Sequence, residues 1–355
     1  MRVMLLDSAA PSRWGGAEIW MRRAAGLLAE LGHPVLALAP AGSPALPGPG
    51  SAAAAPSREA APEGRAAGGA VGQAWSGNTR GLRRAVHEFR PEVAVALQHR
   101  DLRRLWWVTR GLPVRRAMAR HLASERPSWR RRLYYARLCH AVWTPSEYMR
   151  ARLVGLDRVA PPKVHVVRPS VPALPVRPDP PGPPTVACVG RLAREKGQDV
   201  LLRALASARV PARLVLVGRG REAGRLRSLA QSVGLAARVE WIDHLDDLGP
   251  LFSRVHLAAQ PSRLESFGLA ALEALARGVP VVASSAGGLP EVVGEGGALV
   301  PPGDPAALAA ALDLGLGSPE VRAAWSRAAV TRAREHYAPP AERAALQAAL
   351  EGTLG

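Results

Sequence analysis

Two glutamates, Glu265 and Glu273, stand eight residues apart in a segment from Gln260 to Val293 that is otherwise mostly apolar or small. Glu265 falls in a loop after an expected strand, and Ser266 is placed to cap the helix that follows. That helix start presents the N–H groups of Phe267, Gly268 and Leu269, and Gly268 lets an anion come close. Glu273 lies among Leu269, Ala270, Ala271, Leu272, Ala274 and Leu275, so its helix is apolar nearly all round and expected to be buried. A buried carboxylate is costly without hydrogen-bond donors; two hydroxyls on adjacent sugar or ribose carbons supply them. The plainer alternative has Glu265 decorating a helix start and Glu273 paired with an internal arginine.

A second segment, Cys188-Val189-Gly190-Arg191, ends a strand, and Lys196-Gly197 follows one loop later. The planar fork of Arg191 and the point charge of Lys196 both suit a diphosphate. A solvated charged turn is the alternative. Gly218-Arg219-Gly220 reads as a tight strand-to-helix turn.

The elements that must carry these residues alternate strand and helix. Val3–Leu6 is an apolar strand, Trp14–Ala17 a glycine-rich turn, and Ile19 to Leu31 a helical pattern ended by Gly32. Strands follow at Val35–Ala39, Val93–Leu97 and Ala141–Thr144, while 40–72, rich in Ala, Gly and Pro, reads as a long mobile loop. Residues 172–184 hold seven prolines in thirteen positions, which excludes helix and central strand. Beyond them come strands at Thr185–Val189, Arg213–Val217, Val239–Ile242, Val255–Ala258 and Val279–Ala283. Helices at Gln198–Ala208, Arg221–Val233, Leu248–Ser253 and Phe267–Arg277 separate them. The fold class is therefore α/β, with two Rossmann-like parallel-sheet domains and ligands beyond the carboxyl ends of their strands. The expected domains are 1–175, a proline-rich linker at 176–184, and 185–336, with helices in 337–355 packing back on the first.

Composition agrees with two globular domains: 355 residues, 48% hydrophobic and 21% charged, which excludes global disorder. Cys139 and Cys188 cannot form a disulfide framework or a cysteine zinc site, and no Asp-x-Asp triplet offers ligands to a divalent cation. No apolar run approaches a membrane span, and Asp7 comes too early for a signal-peptide core, so the expected location is the cytoplasm.

Taken together, Gly190-Arg191, Lys196-Gly197, Pro261-Ser262, Glu265-x-Phe267-Gly268, Glu273 and Gly287-Gly288-Leu289-Pro290-Glu291 resemble the retaining GT-B glycosyltransferases of family 4, the group 1 glycosyl transferases. Gly15-Gly16-Ala17-Glu18 resembles that family's N-terminal glycine loop. The resemblance covers most of the chain and is strongest over 185–305. It implies two domains facing a cleft and a hexosyl transfer from a UDP- or GDP-sugar to a glycan or lipid-linked acceptor. Retention of anomeric configuration is implied, with no metal and no cofactor beyond that co-substrate. Arg191 and Lys196 would hold the diphosphate, and Glu273 the ribose. Glu265, with the N–H groups of Phe267, Gly268 and Leu269, would hold the donor sugar, while Gly15 and Gly16 approach the distal phosphate. His121 is the preferred match to a family histidine near the transferred sugar, and His99 is the runner-up. Three departures stand out: Pro169-Ser170-Val171 for an Asn-Gly-Val turn, His256 where Asp is common, and Trp241-Ile242-Asp243-His244 for a glycine-containing turn near the base.

The net charge of +18 is concentrated in one half: residues 1–180 carry 28 Lys+Arg against 12 Asp+Glu. Between Arg100 and Arg137 there are twelve arginines and two acids, interleaved with Trp106, Trp107, Trp129, Tyr134 and Tyr135. Such a face suits an anionic membrane surface, which would hold the protein peripherally at the inner leaflet. An anionic glycan and a merely solvated face stay open beside it. Rivals to the transferase reading are another GT-B enzyme, a phosphorylase or epimerase, and a nucleic-acid-binding protein. A pyridoxal-dependent phosphorylase needs an anchoring lysine, and Lys196 is the only lysine after Lys163. No helix-turn-helix or RNA-binding signature supports nucleic acid.

Overall fold

The computed structural model describes residues 1–9, 16–43, 45–46, 69–121, 127–176 and 178–355. They form two compact units, Met1–Pro169 with Glu342–Gly355, and Ser170–Ala341.

The first unit alternates β1 (Val3–Leu6), α1 (Gly16–Glu30), β2 (Val35–Ala39), β3 (Ala70–Ala74), α2 (Thr79–Phe89), β4 (Val93–Ala96) and α3 (His99–Val108). It continues with β5 (Arg115–Ala119), α4 (Trp129–Arg137), β6 (Ala141–Thr144), α5 (Glu147–Gly155) and β7 (Val164–Val166). The second runs β8 (Thr185–Val189), α6 (Gln198–Ser207), β9 (Arg213–Val217), α7 (Ala223–Ser232), β10 (Val239–Ile242) and α8 (Gly249–Phe252). It goes on through β11 (Leu257–Gln260), α9 (Leu269–Ala276), β12 (Val281–Ser284), α10 (Leu289–Val293), β13 (Gly297–Val300), α11 (Pro305–Gly317) and α12 (Pro319–His336). The last helix, α13 (Pro339–Leu354), belongs from Glu342 onward to the first unit.

Both sheets are parallel, in the orders β3-β2-β1-β4-β5-β6-β7 and β10-β9-β8-β11-β12-β13. Parallel pairing forces helical crossovers, and the period of two along each strand decides which helix covers which face. In the first sheet Val3, Leu5, Val93, Val95, Ala117 and Trp143 pack with Trp20 and Leu28 of α1 and with Leu346 and Leu350 of α13. Met4, Leu6, Ala94, Ala96, Met118 and Val142 face the other way, onto Leu82, Leu105, Leu102, Tyr135 and Leu153.

Several expectations need correction. Ala70–Ala74 is an edge strand paired with β2, not loop; its Gly72 and Gln73 hid it. Of the rest of that stretch, 44 and 47–68 lie outside the described residues. β5 opens with two arginines and β7 has three residues, so neither shows an apolar run. β11 and β12 begin two residues later than Val255 and Val279, because both valines are core residues ahead of the ladder. The boundary between the units falls at Pro169/Ser170, not at 176–184. The proline-rich segment is tied to the second unit: Val171 donates its N–H to Tyr337 O, Leu174 to Ala276 O, and Asp179 pairs with Arg322 at 2.5 Å.

Candidate functional site

In the second sheet the chain moves outward from β8 to β9 and β10, then returns to the other side of β8 with β11. The crevice beyond the carboxyl ends of β8 and β11 is thus a topological switch point, where open parallel sheets bind ligands. Gly190 and Arg191 leave β8 there, and Pro261 to Glu265 leave β11 beside them.

The two segments are braced to each other. Arg263 N–H donates to Glu195 O at 2.8 Å, and its guanidinium holds both oxygens of Asp199 at 2.8 and 2.9 Å. Burial alone would raise the Asp199 carboxyl, but the Arg263 hydrogen bonds and charge outweigh it and keep it below its ordinary value. The brace brings Lys196 Nζ to 2.6 Å from Glu265 Oε2. Gln260 Nε2 and Ser262 Oγ donate to that same oxygen at 3.3 and 3.2 Å. Glu265 Oε1 accepts no hydrogen bond among the described residues, and the side chain is 11% exposed. One carboxylate oxygen is saturated and the other keeps its acceptor capacity. Lys196 has three N–H donors and uses one on Glu265, so the others can reach an anion.

Glu265 is held from behind by Gly287 and Gly288. Gly288 donates its N–H to Glu265 O at 3.1 Å. At Gly287 φ is +62°, and a Cβ there would lie 1.7 Å from Glu265 O. Ser284 Oγ donates to Ser262 O from the end of β12.

α9 starts at Leu269, two residues later than expected, because its N-cap is Gly268 with φ +104°. No side chain caps it, so Ser266 is not the cap; it is buried in the preceding turn. The Phe267 ring packs edge-on against Tyr337 at 5.7 Å. With Gly268 at the cap, the first-turn amides of an uncapped helix face the switch point. Glu273 is not buried as expected: its side chain is 21% exposed, with Arg277, one turn on, at 3.9 Å. The structure therefore gives it an arginine neighbour and leaves it partly exposed. Arg191 is more exposed and reaches Glu195 Oε1 at 2.5 Å.

In the first unit the switch point lies between β1 and β4. Gln98 Nε2 donates there to Asp7 Oδ1 at 3.2 Å. His121 follows β5, its ring 4.5 Å from Trp20, and its Nε2 is buried with no partner among the described residues. Burial and then the Arg120 charge push its pKa down to about 3, so it is neutral at pH 7. His99 opens α3 and already bonds Tyr135 Oη at 3.1 Å; burial, with Arg120 and Arg131, lowers it to about 4. The unpartnered nitrogen of His121 and the Tyr135 contact of His99 distinguish the two rings. Gly16 begins α1, exposed; Gly15 lies outside the described residues.

Gln260 and the Asp199–Arg263 pair were not singled out in the sequence, and Ser262 entered only as part of the Pro261-Ser262 motif. A polar residue closing the apolar strand Leu257–Gln260 was the available signal for the first. Of the departures, His256 accepts from Thr185 N–H at 3.2 Å, and Asp243 pairs with Arg219 at 3.2 Å. Among the described residues no three His, Cys, Asp or Glu side chains stand together as a metal cluster, and no helix is long and apolar enough to cross a membrane.

These features agree with the comparisons to known proteins. Residues 175–332 match the family model of the group 1 glycosyl transferases. The match lies within the second unit, covering most of it and somewhat less than half of the chain. Over 225 residues the chain is 37% identical to D-inositol 3-phosphate glycosyltransferase of Acidothermus cellulolyticus, covering 57% of this chain and 50% of that one. The same-named protein of Mycobacterium marinum is 37% identical over 183 residues, 46% of this chain and 39% of that one. The chain thus matches half or less of the length of these curated relatives. Among solved structures, HepE of Anabaena in complex with UDP-glucose superposes with a TM-score of 0.81 at 18% identity, over 99% of each chain. Sucrose-phosphate synthase of Thermosynechococcus elongatus gives 0.78 at 22% identity, over 99% and 98%. The fold is that of the GT-B group, two parallel-sheet α/β domains with seven and six strands.

Proposed function

We propose that this protein is a retaining hexosyltransferase that uses a UDP- or GDP-sugar and needs no divalent cation, acting on a glycan or lipid-linked acceptor. The observation that carries the reading is the half-satisfied Glu265 carboxylate beside Lys196 at the switch point, within the segment that matches the family. The relatives named as D-inositol 3-phosphate glycosyltransferases and the neighbour holding UDP-glucose support the donor class.

In this reading the bond from the sugar's anomeric carbon to the diphosphate oxygen breaks, and the acceptor oxygen bonds that carbon on the same face. The acceptor proton passes to the departing phosphate oxygen. Negative charge grows on the diphosphate, and Lys196, Arg191 and the amides at the start of α9 stabilise it electrostatically. Glu265 Oε1 orients a sugar hydroxyl; with Oε2 saturated by three donors, the group acts by position and charge rather than as a nucleophile. Glu273, which is partly exposed, accepts from the ribose hydroxyls. The first unit receives the acceptor, and within it His121 carries an unpartnered Nε2.

A thermal-shift panel of UDP-, GDP- and ADP-sugars tests the donor class, since ligands that bind the native state raise Tm. A donor at 100 times its Kd stabilises by about 2.7 kcal/mol; no shift with any of them overturns the reading. Glu273→Gln should weaken nucleotide binding about tenfold, roughly the loss of one charge-assisted hydrogen bond, with the fold intact. Equal affinities by titration calorimetry would remove Glu273 from the site. Transfer should proceed unchanged in EDTA, and a strict requirement for added magnesium would refute the metal-free mechanism.

A further inference from the structure

We infer that the outward faces of α3 and α4 form a docking surface for an anionic lipid bilayer, an interaction that does not depend on the transfer reaction. Both helices cover the same face of the first sheet through Leu102, Leu105 and Tyr135, so their free sides point away from the sheet in one direction. On α3 the buried positions Asp101, Leu102, Leu105 and Val108 leave Arg103 and Trp107 outward, and Arg110 is exposed just past the helix end. On α4 only Tyr135 is buried, and Trp129, Arg130, Leu133 and Arg137 make one exposed stripe at helical spacing. Trp107 is 61% exposed and Trp129 70%, unusual for the largest apolar side chain. Arg130 lies over the Trp129 ring at 5.4 Å and Arg110 over Trp106 at 5.5 Å, which keeps each charge beside its aromatic.

The structure also sorts the arginines. Arg104 pairs with Asp101, Arg131 with Asp157, and Arg116 and Arg132 donate to Leu138 O and Leu156 O. These hold the unit together, whereas Arg103, Arg110, Arg130 and Arg137 are exposed. Among residues 100–137 the acids are Asp101, which is buried, and Glu125, outside the described residues, so no described carboxylate within this segment is exposed to offset its charge. Charge complementarity selects an anionic partner. Tryptophan and leucine on a convex helical face select the headgroup–acyl boundary, where such side chains insert beside arginines paired with lipid phosphates. Single-stranded nucleic acid instead asks for a groove that tracks the backbone, with rings on which bases stack.

The test is cosedimentation of the full chain with vesicles of phosphatidylcholine alone, or with one third phosphatidylglycerol. Binding is expected only to the anionic vesicles and should weaken with salt, because exposed charges are screened beyond about 8 Å at physiological ionic strength. Arg130→Glu with Arg137→Glu should lower vesicle affinity at least about 25-fold, about fivefold for each basic residue at the surface. Trp129→Ser alone should also reduce it, while Tm and nucleotide affinity stay at the wild-type values. Arg103→Glu with Arg110→Glu provides the same test on α3. Absence of binding at low salt overturns the proposal. So do equal binding to neutral vesicles, unchanged binding by both double variants, and displacement from vesicles by a single-stranded oligonucleotide that binds this face more tightly.

Discussion

Lys196→Ala is expected to lower kcat about 100-fold, the scale of removing one electrostatic contact that forms with the transition-state charge. Lys196 Nζ stands 2.6 Å from Glu265 Oε2, so the substitution acts twice. In the proposed mechanism it removes a cation from the departing diphosphate, and it leaves the carboxylate with only Gln260 and Ser262 on that oxygen. The loss should fall on kcat more than on KM, because ground-state donor contacts through Glu273 and the amides of α9 persist. Arg191→Ala should cost less, about tenfold, since Arg191 is half-exposed and shares its charge with Glu195. Steady-state kinetics with a saturating acceptor measure both. A kcat within threefold of the wild type for Lys196→Ala would remove this residue from the chemistry.

Gly287→Ala is the substitution expected to cost most in stability. With φ at +62° an added methyl group strains the backbone, and its Cβ would fall 1.7 Å from the Glu265 carbonyl oxygen, far inside contact distance. Neither partner is a flexible side-chain end, so the loop of Glu265 or the start of α10 has to move. A loss of about 3 kcal/mol follows, lowering the transition of the second unit by about 6–12 °C in calorimetry. Because the displaced segment is the one that aims Glu265, activity should fall further than the change in folded fraction explains. A drop in Tm below about 2 °C would show that the loop yields freely and would undo this account of how Glu265 is held.

Much of the fold was legible because a buried parallel strand must be apolar on both faces. Val3–Leu6, Val35–Ala39, Thr185–Val189 and Arg213–Val217 are found at the bounds expected of them. Strands whose burial is incomplete left no such trace: β3 at an edge with Gly72 and Gln73, and β5 opening with Arg115 and Arg116. The chemistry-bearing types were legible too, since Glu265, Lys196, Arg191 and the glycine pair at 287–288 sit in loops directly after strands or strand–turn segments.

By itself the sequence determined the α/β class, the loops after β8, β11 and β12 as carriers of the candidate site, and the excess of positive charge in the first half. Those are properties of composition and of period along the chain, which need no knowledge of neighbours. Tertiary structure decided the pairings: Lys196 on Glu265 across 69 residues, Gln260 and Ser262 on the same oxygen, and Gly268 rather than Ser266 as the cap of α9. It also decided that Glu273 lies partly exposed beside Arg277, and which arginines of the basic cluster turn inward. A residue's type states what it can bond, but the sheet order and the path of each loop choose its partner. That choice depends on burial and distance, which arise only when β11 returns beside β8.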